Sequence, residues 1–389
     1  MKTFLNLSLF FVLFAASFVS AVTVAVPESS EVTGALQPYL DDFKMAGIIT
    51  LIADKDGNVF YKNKLGYADV EAKKPINEDN VFWIASMTKM FTGASVMMLV
   101  DEGKLSLDDP ASKYIPQLAN WMVIEERDDN HVLLKPLAQP VTIRHLLSHT
   151  SGLTGSSEVQ RVVGNDALPL KARALPSVTG SLQSQPGEKY AYGNQGMNVA
   201  ARIIEIVSGK RYEDFLQERF FAPLGMKDTT FYPSDEQVKR LAAPYGPNAD
   251  KSGFKRGDFG YMTHPLSDRV HRYPEAGGGL FSTMHDIFRY GLMLVNEGEL
   301  DGKRYLSKDA IKVLRTEQTG KTKVNYSLGY HLRNGMYGHD GAYGTDLSVN
   351  PDTGIVAVFM VQCTSGAQWE ARDKFLRVAN EVYAKRKEK

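Results

Sequence analysis

The chain has 389 residues, 43% of them hydrophobic and 23% charged, which is enough apolar mass for a sizeable core. Its 45 Lys and Arg residues balance 45 Asp and Glu, and the one short basic run is the "KRKEK" tail. No nucleic-acid partner is expected, because phosphate binding needs a basic face.

Residues 1–21 read as a secretory leader. Lys2 supplies a positive start, "FLNLSLFFVLFAASF" an apolar stretch, and "VSA" ending at Ala21 the small residues of a cleavage site. An uncleaved anchor is the alternative, since apolar character continues to Val26 and about 20 apolar residues span a bilayer. With cleavage, the protein is periplasmic or secreted and has no stable membrane insertion. Cys363 is the only cysteine, so no internal disulfide forms despite export; it lies in the apolar run "GIVAVFMVQC" and reads as a small packed side chain.

Residues 22–389 contain no repeat or low-complexity linker and read as one unit with two lobes. An α/β lobe takes about 22–85 and 290–389, and a helical lobe about 86–289. A helix, "EVTGALQPYLDDFKMAG", precedes a hairpin of "GIITLIADK" and "NVFYKNKLGYADV" joined by the turn pair Asp56-Gly57. Helical patterns follow: "SMTKMFTGASVMMLVDEG" stopping at Gly103, "VTIRHLLSH" with Thr142 as N-cap, "GMNVAARIIEIVSGK", and "STMHDIFRYGLMLVNEG". Near the end "YSLGYHLRN", "GTDLSVNP" and "GIVAVFMVQC" read as strands, then "AQWEARDKFLRVANEVYAKRK" as an amphipathic helix. Strands at both chain ends predict an α+β fold, with one antiparallel sheet built from both termini and flanked by helices.

Three short motifs carry chemistry. In "FWIASMTKMF", Ser86 and Lys89 are three apart, so hydroxyl and amine share a helix face. A lysine desolvated by those apolar neighbours has a lowered pKa and can take a serine proton. The same spacing recurs at Ser252 and Lys255, in a polar loop with no such setting. In "EKYAYGNQGMN", Tyr192 offers a proton-relaying phenol and Asn194 an amide; Tyr61-Lys62-Asn63, inside a predicted strand, is a copy without that context. In "GHDGAYGTDLSV", His339-Asp340-Gly341 is expected to open a strand, Gly341 allowing close approach. The Ala342 amide would then pair with that of Ser86 as oxyanion donors.

In this order the motifs resemble those of the serine β-lactamase and penicillin-binding-protein superfamily, closest to its class C β-lactamase-related group with family VIII esterases and D-aminopeptidases. The resemblance covers roughly residues 35–385 and includes "TIRHLLSHTSGL", "FFAPLGMKDTTF" and "GGGLFSTMHDIFRYGLMLVNEGEL". It implies the β-lactamase/transpeptidase-like fold, with Ser86 as nucleophile, Lys89 as its base partner, Tyr192 as proton relay and Asn194 as substrate-holding amide. His339, Gly341 and Ala342 would complete the substrate site. No cofactor and no metal are implied. Many relatives carry Lys-Thr-Gly at the third motif, where this chain has His339-Asp340-Gly341. An ordinary histidine is mostly neutral at pH 7, and Asp340 adds a charge that would repel a carboxylate.

The function expected is an exported serine hydrolase that cleaves a small-molecule ester, amide or peptide through an acyl-enzyme on Ser86. A true β-lactamase or D,D-carboxypeptidase is the alternative, with Arg333 the candidate carboxylate clamp, and a non-catalytic penicillin-recognising receptor a third. His145 and His149 have a zinc-compatible spacing but lack the metalloprotease glutamate, so a structural role is expected. Met87, Met90, Met97 and Met98 read as core. The segments from Asn120 to Gln139 and from Gly246 to Pro274 are expected to be pocket-shaping loops.

Overall fold

A computed structural model describes residues 30–387 except 43, 154–163, 165, 175–180, 249, 251–252, 260–261 and 263. The leader read at 1–21 and Ser252 lie outside the described residues.

Seven antiparallel strands form the main sheet. The chain enters through helix α1 (Ser30–Asp41), then β1 (Gly47–Asp54), β2 (Val59–Asp69) and the short β3 (Lys74–Pro75). It returns at the end as β4 (His331–Arg333), β5 (Met336–Asp340), β6 (Asp346–Asn350) and β7 (Ile355–Met360), and closes with helix α5 (Ala367–Lys387). The strand order is β4-β5-β6-β7-β1-β2-β3, so the two chain ends meet where β1 pairs with β7, Ile49 opposite Met360 and Asp54 opposite Ile355. At the β1–β2 turn Gly57 takes φ +84°, and Asp54 Oδ1 accepts the amides of Asp56 and Asn58, each at 2.9 Å.

Side chains on a strand alternate between faces, and the core divides accordingly. Ile49, Leu51, Ala53, Val356, Val358 and Met360 face the main core; Ile48, Ile52, Ala357 and Phe359 face a second core with Leu36 of α1 and Phe375 of α5. Both faces of β1 are therefore covered, which is why it reads as an unbroken apolar run. Helix α4 (Met284–Val295), N-capped by Thr283, lies on the main-core face. Cys363 is packed in the second core.

Helix α2 (Thr88–Asp101) runs through the interior. Every residue from Thr88 to Leu99 is buried, the pattern of a helix surrounded by other elements. Against it pack Lys308–Leu314 and α3 (Gln195–Ser208), and the short helix Ile143–Leu147 packs on α3 in turn. The Thr142 cap holds: its hydroxyl accepts the His145 amide while its own amide donates to His145 Nδ1.

Four expectations are corrected. His339 and Asp340 end strand β5 rather than open one. The run 326–334 is strand only over His331–Arg333, because Gly329 takes φ +86°. Within Asn120–Gln139 a hairpin forms, Met122–Arg127 with Val132–Pro136. His145 and His149 share no helix face, since that helix ends at Leu147 and His149 adopts φ +59°.

Candidate active site

The approach to Ser86 is fixed before the helix begins. Phe82–Trp83 pairs with Phe281–Ser282, Trp83 Nε1 donates to the Gly278 carbonyl at 2.6 Å, and Gln362 Nε2 donates to the Trp83 carbonyl at 3.0 Å. The chain then turns through buried Ala85 at φ +43°, a conformation that costs a non-glycine residue about 1–2 kcal/mol. Ser86 sits in the 3₁₀ turn Ala85–Met87 immediately before α2. That turn places its hydroxyl at the positive end of the helix.

One turn on, Lys89 is fully buried. Its Nζ donates to Ser86 Oγ at 3.1 Å, to Asn194 Oδ1 at 2.8 Å and to the Gly277 carbonyl at 2.6 Å. Burial lowers its pKa to about 7, against the opposing pull of Glu275 and Asp340. Lys89 therefore gives up its proton far more readily than an ordinary lysine, in contact with the serine oxygen. Neighbouring side chains fix α2 beside the Gly277 strip: Thr88 Oγ1 accepts the Leu280 amide at 3.1 Å, and Thr92 Oγ1 donates to the Ala276 carbonyl at 2.8 Å.

Asn194 precedes α3 but does not cap it; its side-chain oxygen is turned to Lys89, which leaves the amide NH₂ as the available donor. Gly277 permits this, since a Cβ there would lie 2.4 Å from Asn194 Oδ1. Beneath it a buried network is anchored on Glu275. The carboxylate accepts from Arg173 Nη1 at 2.7 Å, from Asn198 Nδ2 at 2.9 Å and from the Gly277 amide at 3.2 Å. Tyr192 places its ring 4.6 Å from Lys89 Nζ. Although Tyr192 is 42% exposed, desolvation where it faces the cleft pushes its phenol above the ordinary pKa, and a hydrogen bond with Ser86 pulls part of the way back. It stays protonated through the working pH range.

The third motif closes the other side. A Cβ on Gly341 would lie 2.4 Å from the Ile84 carbonyl oxygen and 2.3 Å from Thr345 Oγ1, so only glycine lets the end of β5 reach the turn before Ser86. His339 is buried, with Nδ1 2.6 Å from the Asp340 carbonyl oxygen and Nε2 3.1 Å from the Tyr326 hydroxyl. The Asp340 carboxylate does not stand free to repel an anion. It is ion-paired with Arg333 and lies 3.8 Å from Arg372. Arg333 in turn reaches Asp346 at 3.7 Å, so the candidate clamp is already engaged by two carboxylates.

The structure thus brings Ser86, Lys89, Tyr192, Asn194, His339 and Gly341 to one place. Sequence reasoning missed the Gly277 carbonyl and the Glu275 network, although the glycine run 277–279 was a visible signal. It also missed Tyr326 and His331, and gave His149 only a structural role. Among the described residues two groups hold three metal-ligating atoms within 4.8 Å: His264, Asp268, His271 and His331, His339, Asp340. In the first, Asp268 already accepts the amides of Val270 and His271 and the His271 ring, which accounts for the cluster without an ion. In the second, both nitrogens of His339 are engaged.

A serine oxygen bonded to a buried amine, at the start of a helix enclosed by an antiparallel sheet and helices, defines a serine hydrolase of the β-lactamase/transpeptidase-like fold. The chain belongs to the Beta-lactamase family, whose model matches residues 32–381. It is 33% identical over 338 residues to the lovastatin esterase of Penicillium rubens, covering 79% of this chain and 84% of the relative. It is 28% identical over 301 residues to penicillin-binding protein 4 of Amycolatopsis lactamdurans, covering 73% of each. The solved structure of EstCE1, a hydrolase with promiscuous acyltransferase activity, superposes with a TM-score of 0.72 at 23% identity, covering 89% of this chain and 97% of that one, and shows the same fold.

Proposed function

We propose that this protein is an exported esterase or amidase that works through an acyl-enzyme on Ser86. The contact between Ser86 Oγ and the desolvated Lys89 amine carries the reading. Lys89 Nζ takes the hydroxyl proton as Oγ attacks the substrate carbonyl carbon, and the amides of Ser86 and Ala342 hold the oxyanion. Tyr192, protonated because its pKa is raised, passes a proton to the leaving alcohol or amine and is reprotonated by the Lys89 ammonium, which returns to the neutral amine. Asn194 Nδ2 holds the acyl side. Water then attacks the acyl carbon, giving its proton to the neutral Lys89 amine, which returns it to Ser86 Oγ as the acyl product leaves. Esterase activity is favoured over β-lactam hydrolysis because Arg333, the candidate carboxylate clamp, is occupied, and because the 33%-identical relative is named an esterase.

The test is hydrolysis of p-nitrophenyl butyrate, D-alanine p-nitroanilide and nitrocefin, with intact mass measured during turnover. Ester or anilide turnover with an acyl adduct, both abolished by Ser86→Ala, is the expected result. Turnover unchanged in Ser86→Ala, or nitrocefin as the best substrate, overturns the reading. Export belongs to the same proposal and rests on the leader at 1–21; no described helix is long and apolar enough to cross a membrane. A mature N-terminus at Val22 supports it, and a retained Met1 refutes it.

A further inference from the structure

Three aromatic side chains beside the nucleophile form a hydrogen-bonded row that the mechanism above does not use. The Tyr326 hydroxyl is buried, 3.1 Å from His149 Nε2 on one side and 3.1 Å from His339 Nε2 on the other. His149, also buried, packs against Tyr192 with ring centroids 4.6 Å apart and the rings tilted by 52°. The row ends where His339 Nδ1 meets the Asp340 carbonyl oxygen at 2.6 Å.

The protons in this row are determined. A carbonyl oxygen only accepts, so His339 Nδ1 carries a hydrogen. If His339 is neutral, Nε2 is a bare lone pair and the Tyr326 hydroxyl must donate to it. Tyr326 has one hydrogen, so its oxygen must accept from His149 Nε2–H. If His339 is charged, every bond reverses: Nε2–H donates to Tyr326, and Tyr326 donates to His149 Nε2.

The surroundings choose between the two. His339 is packed against the His331 ring at 4.4 Å, the Tyr326 ring at 5.8 Å and the Tyr192 ring at 6.1 Å, with Lys89 and Arg333 near. Asp340 supplies the neighbouring carboxylate, and it is bound to Arg333. Burial comes first and the His331, Lys89 and Arg333 charges follow; together they hold His339 well below its ordinary value, with the Asp340 carbonyl opposing. His331 is itself lowered to about 4 by burial and Arg333. Burial thus favours the neutral form of both rings.

We propose that His149, Tyr326 and His339 form a one-way hydrogen-bond ladder that holds His339 in its neutral Nδ1–H form, so that this side of the cleft accepts uncharged acyl groups and rejects those bearing a carboxylate. The substrate class rests on the hydrolase reading above; the ladder does not. An acyl group bound between Ser86 and the Ala342 amide runs beside His339, three residues before that amide. A carboxylate there meets a ring whose two nitrogens are both taken. Tyr326 and His149 are positioning residues, acting through His339.

Long-range ¹⁵N–¹H NMR of the histidine-labelled full chain at pH 7 reads the ladder directly. His339 is expected as the Nδ1–H tautomer and His149 as Nε2–H. An imidazolium or an Nε2–H tautomer at His339 overturns the ladder. Tyr326→Phe removes the hydroxyl that both Nε2 atoms share, so His149 should lose its fixed Nε2–H tautomer and populate both; an unchanged His149 tautomer also overturns the ladder. The substrate class is read from kcat/KM for p-nitrophenyl butyrate against p-nitrophenyl hemisuccinate. The wild-type preference for the butyrate should narrow at least tenfold in His339→Lys, and an unchanged ratio overturns that part. If the wild type turns over neither ester nor anilide, the hydrolase reading has failed and the tautomers alone decide the ladder.

Discussion

Lys89→Met tests the electrostatic core of the site. Lowering the lysine from its ordinary 10.5 to about 7 makes its ammonium about 5 kcal/mol less favourable in the fold than in the unfolded chain, at about 1.4 kcal/mol per pH unit. The sign follows from proton counts. Below pH 7 both states hold the proton and the full penalty applies. Between about 7 and 10.5 the unfolded chain holds one proton more, so wild-type stability rises with pH; above 10.5 the penalty is gone. From pH 7 to pH 9 this rise amounts to about 2 kcal/mol. Methionine cannot titrate, so Lys89→Met lacks the rise. The lost bonds to Asn194 Oδ1 and the Gly277 carbonyl add an offset that does not depend on pH. Urea unfolding at pH 7 and pH 9 for both proteins should show wild type gaining about 2 kcal/mol relative to the variant. A difference that stays constant between the two pH values refutes the buried, destabilised ammonium. The same titration predicts that wild-type kcat/KM for an uncharged ester falls about tenfold per pH unit below 7.

Two further variants probe the supports of the site. Gly341→Ala puts a Cβ 2.4 Å from the Ile84 carbonyl oxygen, so β5 must move away from Ser86. A loss of kcat by about tenfold to a hundredfold is expected, with about 1–3 kcal/mol of stability, and wild-type kcat would show that the Ala342 amide is not an oxyanion donor. Arg173→Ala leaves the Glu275 carboxylate buried without its ion pair and should destabilise the protein by about 3–5 kcal/mol in urea unfolding. A loss under about 1 kcal/mol would mean that Asn198 and the Gly277 amide satisfy Glu275 alone.

Much of the frame was legible because it rests on local rules. Alternating or continuous apolar runs marked β1 and β7, the Asp56-Gly57 pair marked their hairpin neighbour, and Thr142 announced its helix through the capping geometry. Where a local pattern was outweighed by packing, the reading failed. The run 326–334 has strand composition, yet only His331–Arg333 is strand, with Tyr326 folded back in an isolated bridge to His331, because Gly329 turns the chain so that Tyr326 can reach His339.

For the site, the sequence by itself determined which groups are present and the three-residue spacing that lets Ser86 and Lys89 meet on one helix. It also supplied the apolar neighbours that desolvate the amine. Only the tertiary structure decided that the amine is held by Asn194 and the Gly277 carbonyl, residues 105 and 188 positions away. It alone decided that Asp340 is neutralised by Arg333, and that both nitrogens of His339 are spent within the protein. Spacing fixes contacts a few residues apart on one element, whereas a proton's position depends on every partner the fold delivers to it.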